Sequence, residues 1–187
     1  MSTESTVYYI YNKYTHRFVT ISTYPMDTKR IGSTATPIPE EDQRLFRFYV
    51  YNPDTDSWDF QLEEFRKDRI SYVSMKYRFY LESKLSQAEY LLIILTLALS
   101  KLAIDLNPEL DEASYDMLQT HVQNVLSILD WLNQVNNYYR NVLETIQTAS
   151  KDDIINTVNS LDFTSFDSLF VDIDINAIVE KIKSLLS

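Results

Sequence analysis

The alternation of apolar and polar positions along the chain changes period near residue 62. From Val7 to Ile21 aromatic and β-branched residues dominate, and Asn12 to His16 interrupts them with polar, turn-forming side chains. This predicts a β-hairpin with strands near 7–12 and 16–23, because such residues fill a pleated, half-buried surface. The stretch 25–39 carries Gly32, three prolines and few large apolar residues. It predicts an ordered loop across the surface of the small sheet. Leu45 to Tyr51 predicts another strand, Asn52-Pro53-Asp54 a reversal, and Ser57 to Leu62 a returning strand with Trp58 and Phe60 on one face.

After Glu63 the spacing becomes helical. Phe65, Ile70, Val73, Tyr77 and Leu81 predict one or two helices over about 63–83. Ser86 with Glu89 three residues on reads as a capping box before the apolar run 90–100, and Asn107-Pro108 closes that helix. Glu89 and Lys101 bracket the run at eleven residues, whereas a membrane span takes about 17–25. It therefore reads as a helix buried on most of its circumference, in a bundle centre or an oligomer interface.

The longest helix is expected over about 108–149, with Pro108 in its first turn and Glu109, Asp111 and Glu112 against the amino-terminal dipole. Its stripe, Tyr115, Leu118, Val122, Val125, Leu129, Leu132, Asn136, Tyr139, Leu143 and Ile146, alternates spacings of three and four. Asn136 interrupts it where a buried amide would set register or oligomeric state by pairing with a copy of itself or with a neighbour. The flanking row Ile128, Val135, Val142 is wider than a two-stranded seam needs. The helix is thus expected to pack on helices of its own chain or in an oligomer, for which a trimer fits best. A short helix over about 151–160 and a linker with Phe163, Phe166 and Phe170 follow. A final helix over about 174–186 carries Ile175, Ile178, Val179, Ile182 and Leu185 on one face. The fold class expected is α+β, with a small antiparallel β module over 1–62 and a helical bundle or coiled-coil-like region over 63–187.

Composition narrows the function. With 45% hydrophobic residues the chain can bury enough surface to fold. A formal net charge of -10 repels phosphate backbones, so nucleic acid is not an expected partner. The absence of cysteine removes disulfides, thiolate zinc sites and thiol nucleophiles. A single glycine leaves nothing from which to build a phosphate-binding glycine loop. Met1 to Val7 shows no basic stretch followed by an apolar one, so no cleaved export signal is expected.

Candidate chemistry is sparse. His16 reads as a turn residue and His121 as the edge of a packed stripe. Asp54, Asp56 and Asp59 fail the calcium-loop spacing and suit turn formation, although as paired carboxylates they are the starting point of a hydrolase reading. No cofactor or metal is expected. Fourteen tyrosines, nine phenylalanines and two tryptophans suit broad protein contact. Tyr9, Tyr11, Tyr51, Trp58 and Phe60 are the candidate contact residues of the β module, and Leu118 through Ile146 of the stripe the candidate seam.

Residues 7–66 carry a resemblance. Tyr8-Tyr9-Ile10-Tyr11-Asn12, then Ser33 to Pro39, Phe48 to Asn52, and Asp56-Ser57-Trp58-Asp59 leading into Glu63-Glu64-Phe65-Arg66, resemble small modules of bacteriophage tail-fibre and tail-fibre-assembly proteins. The resemblance implies a non-enzymatic component of a phage tail, fibre or baseplate, located in the virion after synthesis in the host cytoplasm, with other tail proteins as partners. Its alternative implication is an assembly chaperone absent from the finished particle.

Overall fold

A computed structural model describes residues 6–186, with the side chains of Leu185 and Leu186 excepted. Most of the stretch read for an export signal, Met1 to Ser5, and the apolar contribution of Leu185 lie outside the described residues. The chain is α+β and divides into two compact units, the first ending at Asp68 and the second beginning at Arg69.

The first unit holds a three-stranded antiparallel sheet of order β2-β1-β3, from β1 (Tyr8–Asn12), β2 (Phe18–Ser22) and β3 (Ile31–Thr34), and a hairpin of β4 (Tyr49–Asn52) and β5 (Ser57–Phe60). Asn12 turns the chain after β1, its side chain accepting from the backbone N–H of Tyr14 at 2.8 Å and of Thr15 at 3.1 Å. His16 closes that turn at φ 55°, in the left-handed region. Ile38, Phe46, Tyr49, Tyr51 and Trp58 form the core, with Tyr9, Tyr11, Phe18 and Phe60 packed against it.

Two expectations for this unit are corrected. The stretch 25–39 is not only a loop, because β3 lies inside it and pairs with β1 in the register Tyr11↔Gly32. The prolines flank the strand, and Gly32 sits beneath the Tyr11 ring, where a Cβ would lie 2.5 Å from Tyr11 Cζ. The chain also enters β4 from a 3-10 turn, Gln43–Phe48, and not from a strand starting at Leu45. Asp42 caps that turn by accepting from the Arg44 N–H at 2.9 Å, and this local bond wins over the strand pattern.

Asp56 ties the unit together. It sits at φ 48°, a conformation that Asp tolerates better than most residues. Its carboxylate accepts from Thr34 Oγ1 at 3.0 Å, Thr36 Oγ1 at 2.6 Å and the Tyr51 hydroxyl at 2.5 Å. The bonds from Thr36, Tyr51 and Thr34 hold its pKa below the ordinary carboxylate value.

Helix α1 (Leu62–Lys84) contains the division between the units. Phe65 on its first turns packs against Phe48 at 5.1 Å and Phe60 at 5.4 Å. These contacts carry the first unit past residue 62.

The second unit is built from the rest of α1 with α2 (Gln87–Leu106), α3 (Glu112–Thr148), α4 (Lys151–Asn159), a 3-10 segment Thr164–Leu169 and α5 (Ile175–Leu186). Ser86 and Glu89 form the capping box that starts α2. Helix α3 begins later than the Pro108 signal suggests. Leu110 N–H bonds Asn107 C=O in a turn, and Asp111 is the cap, accepting from the Ser114 N–H at 2.8 Å. Tyr80, Ile93, Val125, Ile128, Trp131, Val135 and Phe163 form one core cluster, and Ala103, Leu118, Ile178 and Ile182 a second.

Candidate interaction surface

Helix α2 carries apolar residues around most of its circumference, and the fold buries an unexpected side of them. The face turned inward consists of Ile93, Thr96, Ser100 and Ala103. Small and hydroxylated side chains let α2 approach α3 and α5, the two helices it packs on. Thr96 donates its hydroxyl to the Ile93 carbonyl at 3.0 Å. That bond leaves the Thr96 oxygen to accept from His121 Nε2, also at 3.0 Å. The proton therefore sits on Nε2, and Nδ1 is a buried lone pair without a hydrogen-bonding partner among the described residues. Burial pushes the His121 pKa below its ordinary 6.5.

Five leucines point the other way. Leu91 is 60% exposed, Leu95 54%, Leu102 46% and Leu106 69%, with Leu92 at 43% beside them. At 100° per residue, Leu91, Leu95, Ala98, Leu102 and Leu106 lie within about 80° of one another, so they form one continuous row. A surface helix ordinarily turns such a row toward the core. The expectation of a helix buried on most of its circumference is thus corrected for the single chain: Ile93 and the small residues took the inward face, and five leucines are left on the surface. No helix among the described residues is long and apolar enough to cross a membrane.

Beside the start of α2 lies a cleft of about 480 Å³, with apolar lining from Tyr77, Leu81, Leu85, Tyr90, Trp131 and Leu132. Its charged lining groups, Arg78 and Glu82, are paired with each other at 2.8 Å. Ser86 at its edge is engaged with Glu89 in the capping box of α2, and the rest of the lining offers shape and apolar contact.

The residues singled out in the sequence fall elsewhere. Tyr51 and Trp58 are buried in the core of the first unit, and Tyr9, Tyr11 and Phe60 are half-buried against that core. Tyr11 lies against Tyr51 with ring centroids 4.4 Å apart and planes tilted by 37°, and Trp58 donates its indole N–H to the Thr36 carbonyl at 3.0 Å. These aromatics hold the unit together and present little free surface. On α3, Leu118, Val122, Val125 and Ile146 are buried, while Leu129, Leu132, Asn136, Tyr139 and Leu143 are half-buried. The deepest positions include Ile128 and Val135 of the flanking row, together with Trp131, because α3 packs on several elements of its own chain. Of the two expectations for this stripe, the buried positions belong to packing within the chain.

Asn136 meets a neighbour, not its own copy: the Tyr77 hydroxyl donates to Asn136 Oδ1. Tyr77 also stacks on Tyr139, with centroids 4.2 Å apart and rings 5° from parallel. Tyr80 donates to Asp167 Oδ1 at 2.9 Å, and Lys84 reaches the same oxygen at 3.1 Å, which fastens the Phe163–Phe170 segment to α1. Desolvation, with the Asp167 bond assisting, pushes the Tyr80 pKa up to about 12. Among the described residues no group of three histidines, aspartates or glutamates is placed to hold a metal ion. Asp56 of the hydrolase reading is occupied by three hydroxyl donors.

The chain matches no protein-family model, no curated protein and no solved structure.

Proposed function

We propose that this chain is a non-enzymatic structural or assembly protein that acts through protein contact, in the tail, fibre or baseplate region of a bacteriophage. The observation that carries the contact reading is the exposed leucine row of α2. With Leu92 beside the row, five half-exposed leucines present on the order of 500 Å² of apolar surface, in the upper part of the range for the largest patch on a monomer. At about 25 cal/mol per Å² its exclusion from water favours association by many times thermal energy before the cost of docking is deducted. The resemblance of residues 7–66 to tail-fibre modules supports placing that contact in a phage tail.

The test is quantitative mass spectrometry of purified particles of the encoding phage, counting this chain against the major capsid protein. A fixed copy number per particle is expected, together with loss of the Leu95→Glu variant from particles. Absence of the native chain from particles would overturn the structural role. Expression confined to late infection would then favour the chaperone.

A further inference from the structure

The leucine row of α2 has a property that a contact with an unrelated protein does not require. Leu91 and Leu106 lie equally far on either side of a midpoint between Ala98 and Leu99, as do Leu95 and Leu102. A two-fold interface must be complementary to itself. Laid antiparallel on a second copy, α2 places Leu91 opposite Leu106, Leu95 opposite Leu102, and Ala98 at the crossing, where the small side chain lets the two axes approach.

We propose that the partner on this face is a second copy of this chain, docked α2 against α2 in antiparallel orientation about a two-fold axis near Ala98. The proposal rests on the contact reading above and names its partner. A stable dimer covers about 800 Å² on each partner. The exposed leucines supply on the order of 500 Å² of that as an apolar centre, and half-buried Ile94 and Leu99 with the polar residues beside the row supply the rim. No charged side chain interrupts the row between Leu91 and Leu106, and Lys101 and Asp105 fall to one side of it. A face free of charge over four turns does not repel its own copy, although the whole chain carries a net charge of -10.

The chain has no cysteine, so introduced thiols report the geometry cleanly. Light scattering on the full chain at about 100 µM, where a contact with Kd near 1 µM is saturated, should give twice the 22.0 kDa of one chain. Leu95→Glu should return the mass of one chain with an unchanged far-ultraviolet spectrum. Ala98→Cys should oxidise to a covalent dimer. Leu91→Cys alone should not, since antiparallel copies hold those positions about 22 Å apart, whereas a disulfide needs Cα atoms within about 7 Å. Leu91→Cys combined with Leu106→Cys should crosslink.

A native mass of one chain, or of three or more, would overturn the proposal, as would crosslinking of Leu91→Cys as readily as Ala98→Cys. A one-chain mass with the Leu95→Glu variant missing from particles removes the dimer and leaves the contact reading standing. A two-chain mass with the native chain absent from particles keeps the dimer and removes the structural role.

Discussion

Gly32 has no room for a side chain. A Cβ there would lie 2.5 Å from Tyr11 Cζ and 2.7 Å from its hydroxyl oxygen, so the ring would have to shift from its place against Tyr51 at 4.4 Å and edge-on to Trp58 at 6.4 Å. Gly32→Ala should therefore destabilise the first unit by about 1–3 kcal/mol, the range for overpacking a well-filled site. Urea unfolding followed by Trp58 fluorescence in a Trp131→Phe background checks this, and an unchanged midpoint would contradict it. The same residue shows why β3 is not legible in the sequence. A glycine near prolines signals a loop, and its second use, as the floor under a cross-strand aromatic ring, depends on a pairing that sequence spacing does not reveal. Asn136 repeats the lesson. Its place in an apolar stripe marks it as a buried amide needing a partner, and Tyr77 is that partner. Asn136→Ile should leave the Tyr77 hydroxyl unsatisfied and cost about 1–3 kcal/mol, with no change in mass by light scattering. A changed mass would return the amide to an oligomer seam.

Among the elements, the helices are the most legible, from their period and, at α2, from a start signal with a mechanism. Ser86 with Glu89 caps α2 through bonds that their residue types foretell, whereas at α3 Pro108 points too early and Asp111 is the cap. What the pattern leaves open is rotation. Helix α2 is apolar nearly all round, so periodicity does not decide which side is buried, and the deciding contacts come from α3, where His121 reaches Thr96 at 3.0 Å. That contact has a pH signature. The unfolded chain takes up the imidazole proton near the ordinary pKa of 6.5, whereas in the fold burial holds the pKa lower. Its stabilising contribution is whole above about pH 6.5 and is lost as pH falls through the folded value. Urea midpoints followed by Trp131 fluorescence in a Trp58→Phe background should drop between pH 7.5 and pH 5, and His121→Gln should flatten the difference. An unchanged slope in the variant would show that other groups set it.

For the whole molecule, the α+β division follows from the change of period near residue 62, and the contact surface does not. An aromatic-rich sequence suggests that aromatics make the contacts, yet in each unit they are the core: Trp58 in the first, and Trp131 with Phe163 in the second. Phe79, Tyr14 and Tyr24 are exposed as single side chains on other elements, whereas five exposed leucines gather on one helix. Leu126 and Leu169, each 42% exposed in the same unit but off the row, serve as internal controls for the most direct measurement, hydroxyl-radical footprinting of the full chain at working concentration, read leucine by leucine. Leu91, Leu95, Leu102 and Leu106 should be modified several-fold less than Leu126 and Leu169, and Leu95→Glu should restore reactivity at the other three. Equal modification of all six in the native chain and in its assembly would contradict the α2 contact.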